Sequence, residues 1–236
     1  MRNSKYSLSG NQLKIIAAVA MLIDHMGLLL FPDLKVFRII GRLAFPIFAF
    51  MISEGCKYTK NKVRYFLNIF VLSLICQTVF YFFDNSLDMC ILVTFSLSVV
   101  LVYSFNNLKR EIFCVNRSIA RQCFATLIFV AVTVLVYILN LIFYIDYGFF
   151  GCMTPVFASI FGSDRKDFIK YNVLSMGVCL IILSAVLGGV QIYSIFAIPL
   201  LLIYSGKRGK YKLKSFFYIF YPLHFMILQV INMFCF

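Results

Sequence analysis

Nine apolar stretches follow one another along this chain with little between them: 13–31, 36–54, 65–83, 89–106, 122–145, 148–162, 172–188, 190–205 and 215–234. A helix needs about 20 mostly apolar residues to cross a bilayer, with a range of about 17–25. Lipid offers the backbone no hydrogen bonds, so a spanning segment satisfies itself as a helix or within a closed barrel, and runs of this length suit helices. The expected fold is all-α: a polytopic transmembrane helical bundle of about nine spans, forming one membrane domain over residues 1–236. Composition agrees, since 62% of the 236 residues are hydrophobic, against about 45–50% in soluble domains. The sixth stretch is short and contains Pro155, and the fifth is long, so the boundaries near 146–163 are the softest.

The loops carry a second, independent pattern. Lys and Arg cluster at the N-terminus (Arg2, Lys5, Lys14), in 55–64, in 107–121 (Lys109, Arg110, Arg117, Arg121), in 163–170 (Arg165, Lys166, Lys170) and in 206–214. Two spans separate each cluster from the next, so all five fall on one face. The other face keeps Lys35 and Arg38 and holds Asp33, Asp84, Asp88 and Asp146. The positive-inside rule then places the N-terminus in the cytoplasm and the C-terminus outside, in a multi-pass protein of the cytoplasmic (cell) membrane. This asymmetry accounts for the net charge of +13 with the lipid bilayer, and no nucleic acid, as the partner. Arg2 and Lys5 before an apolar run look like a signal peptide, but Asp24 and His25 interrupt the run and no small-x-small cleavage site follows, which predicts an uncleaved first span. The 8 cysteines form no C-x-x-C pair and have no histidine at metal-ligand spacing, so they read as small hydrophobes rather than a metal site.

Ionisable residues inside such spans cost about 2.5–3.5 kcal/mol on insertion scales, and they usually mark a function. Asp24 and His25 sit side by side in the first span, and Arg42 lies at a similar depth in the antiparallel second span. Neighbouring helical residues diverge by about 100°, so Asp24 is not placed to orient His25. An Asp24–Arg42 ion pair, with His25 facing a cavity, is the economical arrangement. In the last span Tyr218, Tyr221 and His224 recur every three residues, a polar band continued toward the cytoplasm by Lys214. Pro46 and Pro222 free the carbonyls of Arg42 and Tyr218, and irregular backbone at membrane depth is tolerated where it lines a cavity or is buried in protein. Together these residues describe a polar chamber. The loop Ser205–Lys214 (SGKRGKYKLK) is a glycine-flanked basic segment suited to phosphates, although it lacks Walker A spacing; its charge is equally that of every loop on this face.

The runs LKIIAAVAMLIDHMG, GRLAFPIFAFMISEG, IDYGFFG and QIYSIFAIPLLLIYSGKRGKYKLKSFFYIFYPLH resemble the TraX family in order and spacing over nearly the whole chain. Matching positions are Asp24, His25, Arg42, Glu54, Asp146, Tyr147, Gln191, Lys207, Arg208, Tyr221 and His224. The resemblance implies an integral membrane acetyltransferase that uses acetyl-CoA as co-substrate, with no metal, to acetylate the N-terminal amine of a pilin or small secreted peptide. It further implies catalytic roles for His25, Asp24, Arg42, His224 and Tyr221, and donor binding through Lys207, Arg208 and Lys210. O-acetylation of a surface glycan, a transporter or flippase, and a non-catalytic assembly factor are the alternatives. One stretch departs from the family pattern: where Ser-Glu-Ile-Pro-Phe-Asp is usual, this chain reads Cys76-Gln77-Thr78-Val79-Phe80-Tyr81, without either carboxylate.

Overall fold

The computed structural model describes residues 7–84, 88–113, 118–161, 166–210 and 213–235. Of the basic clusters, Arg2, Lys5, Arg117, Arg165 and Lys212 lie outside the described residues, as do the side chains of Lys166 and Lys214. The described chain is predominantly helical: α1 Gly10–Leu29, α2 Lys35–Gly41, α3 Ala44–Tyr58, α4 Lys62–Asp84, α5 Ile91–Phe113, α6 Ile119–Ile142, α7 Gly148–Phe157, α8 Lys166–Leu187, a 3₁₀ segment Gly189–Phe196, α9 Ala197–Leu202 and α10 Lys214–Cys235. Extended backbone pairs among the described residues only at two isolated bridges, Leu8 with Tyr204 and Met89 with Ile145.

Among the described residues, seven helical stretches are long and apolar enough to cross a membrane: Gly10–Leu29, Lys35–Tyr58, Lys62–Phe83, Ile91–Phe113, Ile119–Ile142, Phe168–Leu187 and Phe216–Phe234. The two remaining stretches expected to span hold shorter helices, Gly148–Phe157 and Gly189–Leu202. Both are shortened by backbone of the opposite hand. Tyr147 and Gly148 have φ of 61° and 58° ahead of α7, and Gly188 and Gly189 have φ of 68° and 56° after α8. The expected continuous second span is also divided. α2 stops at Gly41, Arg42 and Leu43 form a turn, and α3 restarts at Ala44. Pro46 explains the position of the break: it falls in the first turn of α3, where its missing N–H costs nothing, whereas an unbroken helix would need that N–H to reach Arg42.

The chain forms two compact units, residues 52–160 and residues 1–51 with 161–236. In the first, α4, α6 and α7 pack against α5. Thr94 Oγ1 donates to Asp146 O at 2.6 Å and Ser98 Oγ to Cys152 O at 2.9 Å, while Lys109 Nζ donates to Ser159 O. These contacts advance together along both segments, so the short α7 and the turns after it run the length of α5. Leu92, Phe95, Val99, Leu101 and Val102 of α5 are buried. From Phe124 on, the exposed surface of α6 is largely apolar, at Phe124, Leu127, Val134, Leu135 and Leu141, as suits a lipid-facing helix. The family departure in α4 has a local reason. Gln77 Nε2 donates to Asp88 O at 2.9 Å and Gln77 Oε1 accepts from Cys90 N at 3.0 Å, closing the entry to α5. A glutamate carboxylate accepts but cannot donate, so only the amide makes both bonds.

In the other unit, α8 folds back on the 3₁₀ segment and α9. Ser184 Oγ donates to Gln191 O at 3.2 Å, Gly177 faces Ile198, and Gly206 faces Ile169. The pairing is antiparallel along the whole length. A 3₁₀ segment rises about 2.0 Å per residue against about 1.5 Å for an α-helix, which helps a short stretch match its longer neighbour. α1 carries Leu13, Ala17, Ala18, Ala20 and Met21 into the core of this unit and contacts both α2 and α10. Of the described cysteines, Cys56, Cys76, Cys90, Cys152 and Cys179 are buried and Cys123 is exposed. No group of metal-ligating side chains occurs among the described residues.

α1 and α2 approach through glycine. A Cβ at Gly27 would stand 2.4 Å from Phe37 Cβ, and one at Gly41 would stand 2.1 Å from Asp24 Oδ1. Overpacking of this kind costs about 1–3 kcal/mol. Gly27→Ala is therefore expected to lower the unfolding midpoint of the detergent-solubilised protein measurably; an unchanged midpoint would show that the two helices tolerate separation.

Candidate active site

The site grows from Asp24. Arg38 and Arg42 stand four residues apart, on one face of α2 and at its C-cap, and both reach the same carboxylate across the glycine contact. Arg38 Nη1 donates to Asp24 Oδ2 at 2.6 Å and Arg42 Nη2 to Asp24 Oδ1 at 3.0 Å. The side chains of Asp24 and Arg42 are 14% and 12% exposed and that of Arg38 is 27% exposed, so the charges are largely withdrawn from solvent. One carboxylate facing two guanidiniums leaves a net positive charge. Arg42 also donates through Nη1 to Gln191 Oε1 at 3.3 Å, tying α2 to the 3₁₀ segment.

His25 leaves α1 in a different direction. Its Nδ1 lies 2.8 Å from His224 Nε2 on α10, and His224 Nδ1 lies 2.8 Å from Phe220 O. The carbonyl can only accept, so Nδ1 of His224 carries a proton. In the neutral ring Nε2 is then a lone pair, and it accepts from His25 Nδ1–H. Neutral His25 is left with its own lone pair on Nε2. The chain Phe220 O, His224, His25 thus fixes a tautomer in which the outermost nitrogen is basic. Phe220 stacks on His224 with centroids 5.0 Å apart, Tyr221 meets His224 edge-on at 5.8 Å, and Phe225 meets His25 edge-on at 5.7 Å. His224 and Tyr221 are buried, and His25 is half-buried.

All five residues expected to be catalytic, Asp24, His25, Arg42, His224 and Tyr221, therefore belong to one compact unit. The Asp24–Arg42 pair forms as expected, and Asp24 does not orient His25. The imidazole of His224 does so instead. Arg38 completes the ion pair although the spacing alone assigned it to the outer face; its i, i+4 relation to Arg42 was the available signal. Lys207, Arg208 and Lys210 are exposed and stand apart from the histidines. Their backbone secures the start of α1: Gly10 N donates to Lys207 O at 2.8 Å and Asn11 N to Arg208 O at 2.9 Å. Gly209, at φ 100°, comes so close that a Cβ would lie 3.0 Å from Ser9 Oγ. Fifteen residues of α1 separate this base from His25, about 22 Å at 1.5 Å per residue. Lys14 lies between them on nearly the same face as His25, since eleven residues complete just over three turns.

A family model described as TraX protein matches residues 9–232. The chain belongs to the TraX family. Among curated proteins, this TraX-family member is 27% identical over 250 residues to a probable fimbrial assembly protein, FimC of serogroup H1, from Dichelobacter nodosus, covering 96% of each chain. It is 37% identical over 95 residues to an uncharacterized protein of Rickettsia prowazekii (strain Madrid E), a match spanning 40% of this chain and 37% of that protein. No solved structure matches.

Removing one member of a buried ion pair costs about 3–5 kcal/mol because the partner is stranded. Arg42 is the more buried arginine and holds Gln191 as well, so Arg42→Gln should destabilise the protein more than Arg38→Gln. Coupling to Asp24→Asn in double-mutant cycles should also be larger for Arg42, read from denaturation in detergent. Equal couplings would show that the two arginines share the carboxylate evenly.

Proposed function

We propose that this TraX-family protein is a membrane acetyltransferase, moving an acetyl group from acetyl-CoA to the N-terminal amine of a pilin or small secreted peptide. The observation that carries the reading is the fixed tautomer of His25, whose Nε2 lone pair is held ready by His224 and the Phe220 carbonyl. An imidazole of that kind takes the proton from an attacking amine and returns it to a leaving thiolate, a contribution of about 10²–10⁴ in rate. The positive excess around Asp24 suits developing negative charge on a thioester oxygen. The relative described as a probable fimbrial assembly protein supports an acceptor among surface-fibre subunits.

The chain's residues fit the proposed donor chemically. Lys207, Arg208 and Lys210 offer exposed cations for phosphates at the base of α1, and Lys14 continues the positive track toward His25. The separation of about 22 Å along α1 suits an extended pantetheine arm. In this reading α7 and the 3₁₀–α9 stretch each complete a crossing, giving nine passages of the cytoplasmic membrane with the N-terminus inside. Donor phosphates then bind on the cytoplasmic side, and the acceptor meets His25 toward the outer leaflet.

Reconstituted vesicles supplied with isotopically labelled acetyl-CoA on the N-terminal side test this directly. Label should reach a peptide amine on the opposite side, His25→Ala should lower transfer by at least about 100-fold, and His224→Ala should lower it less. The double charge reversal Lys207→Glu with Arg208→Glu should raise KM for acetyl-CoA several-fold and spare kcat. Label on a glycan hydroxyl would reassign the acceptor. Undiminished transfer by His25→Ala would remove the base from the scheme.

A further inference from the structure

The 3₁₀ segment Gly189–Phe196 is more than a connection between α8 and α9. With three residues per turn, positions three apart eclipse one another, so Gln191 and Ser194 share one face. That face is buried: the two residues are 3% and 0% exposed. Ser184 Oγ fixes the backbone of Gln191 by donating to its carbonyl at 3.2 Å. The side-chain amide is oriented as well. Arg42 can only donate, so the atom 3.3 Å from its Nη1 is the Gln191 oxygen, which leaves the amide nitrogen beside it with its hydrogens to give. Among the described residues that nitrogen has no hydrogen-bond partner, and neither has Ser194 Oγ. A buried donor held in place and left unsatisfied is uncommon in native proteins and calls for an explanation.

We infer that Gln191 and Arg42 together form an oxyanion hole, in which the Gln191 amide and the Arg42 guanidinium donate to the carbonyl oxygen of the acyl group as it takes on negative charge. The inference rests on the acyl-transfer reading and assigns Gln191 a role in it. The step balances without further reagents. The acceptor amine nitrogen attacks the thioester carbon as its proton passes to His25 Nε2. The carbonyl π pair moves onto oxygen, where the amide and guanidinium hydrogens meet it. The carbon–oxygen double bond then re-forms, the carbon–sulfur bond breaks, and the departing thiolate takes the proton from His25. Asp24 keeps Arg42 in place throughout, and the tie through Gln191 Oε1 makes the two donors one rigid pair. Pre-oriented donors that do not reorganise during the reaction are the most effective form of such stabilisation.

The test compares Gln191→Glu and Gln191→Leu with the wild-type protein in vesicles. The glutamate is isosteric and keeps an oxygen for Arg42, so the fold and the position of Arg42 survive while both amide donors vanish. Loss of an oxyanion donor typically lowers kcat by about 100- to 1,000-fold, and both variants should show this with KM for acetyl-CoA little changed. A second readout needs no turnover. The carbonyl stretching band of isotopically labelled acetyl-CoA, bound without acceptor, should move to lower frequency in the wild type and return toward its solution position in both variants. Retained kcat, or a loss confined to KM, would overturn the assignment while leaving acyl transfer intact. A wild-type protein that transfers no acetyl group and leaves the band unmoved would overturn acyl transfer itself, and the oxyanion hole with it.

Discussion

A carboxylate in the apolar interior organises half of this molecule. Asp24 needs compensation for lost hydration, and two guanidiniums supply it from a helix that has to be close, short and correctly aimed. Each requirement leaves a trace. Closeness appears as glycine at 27 and 41, where a methyl group would meet Phe37 or Asp24 itself. Shortness appears as the break at Arg42 and Leu43, placed by Pro46. Aim appears as the four-residue spacing of Arg38 and Arg42, which stacks both side chains toward α1. Gln191 then extends the network to the 3₁₀ segment. Remove the buried charge and none of these features has an evident purpose.

The histidines solve a different problem with the same economy. In water an imidazole exchanges freely between tautomers, so a base built from it spends part of its time with the wrong nitrogen exposed. Here a backbone carbonyl sets the first ring and that ring sets the second. Helix α10 supplies both the carbonyl and the first ring from residues 220 and 224, four apart on the same helix. Stacking of Phe220 on His224 holds the geometry from the side. The ion-pair network and the imidazole relay are anchored to adjacent residues of α1 yet point to different partners, as the 100° step of the helix demands.

Much of this could be read in the chain. Apolar run lengths gave the helical membrane class, scarcity of polar residues singled out Asp24, His25, Arg42 and His224, and the helix wheel separated Asp24 from His25. Partners distant in sequence could not be read. His25 and His224 are 199 residues apart, and no local pattern states that α1 and α10 are neighbours. Arg38 looked like a loop charge because a hydropathy ruler joins α2 to α3, and the break between them depends on what α2 must touch. The 3₁₀ geometry around Gln191 follows from a pair of left-handed glycines whose effect is clear only once the return along α8 is seen. Gln77 is the opposite case: the reason for this departure from the family pattern is an amide that holds two backbone groups at once.

The clasp at the base of α1 has a consequence for biosynthesis. The first helix emerges from the ribosome long before the residues that complete its start, because the carbonyls of Lys207 and Arg208 that receive its first amides come almost two hundred residues later. Until then Ser9 and Gln12 alone close the helix through their capping box. The same delay applies to the imidazole relay, whose His224 ring is made later still. During translation the chain can insert helix by helix, yet this unit stays chemically incomplete. The fold in effect times its own competence, and a nascent or truncated chain in the bilayer would hold His25 without the ring that decides which of its nitrogens is basic.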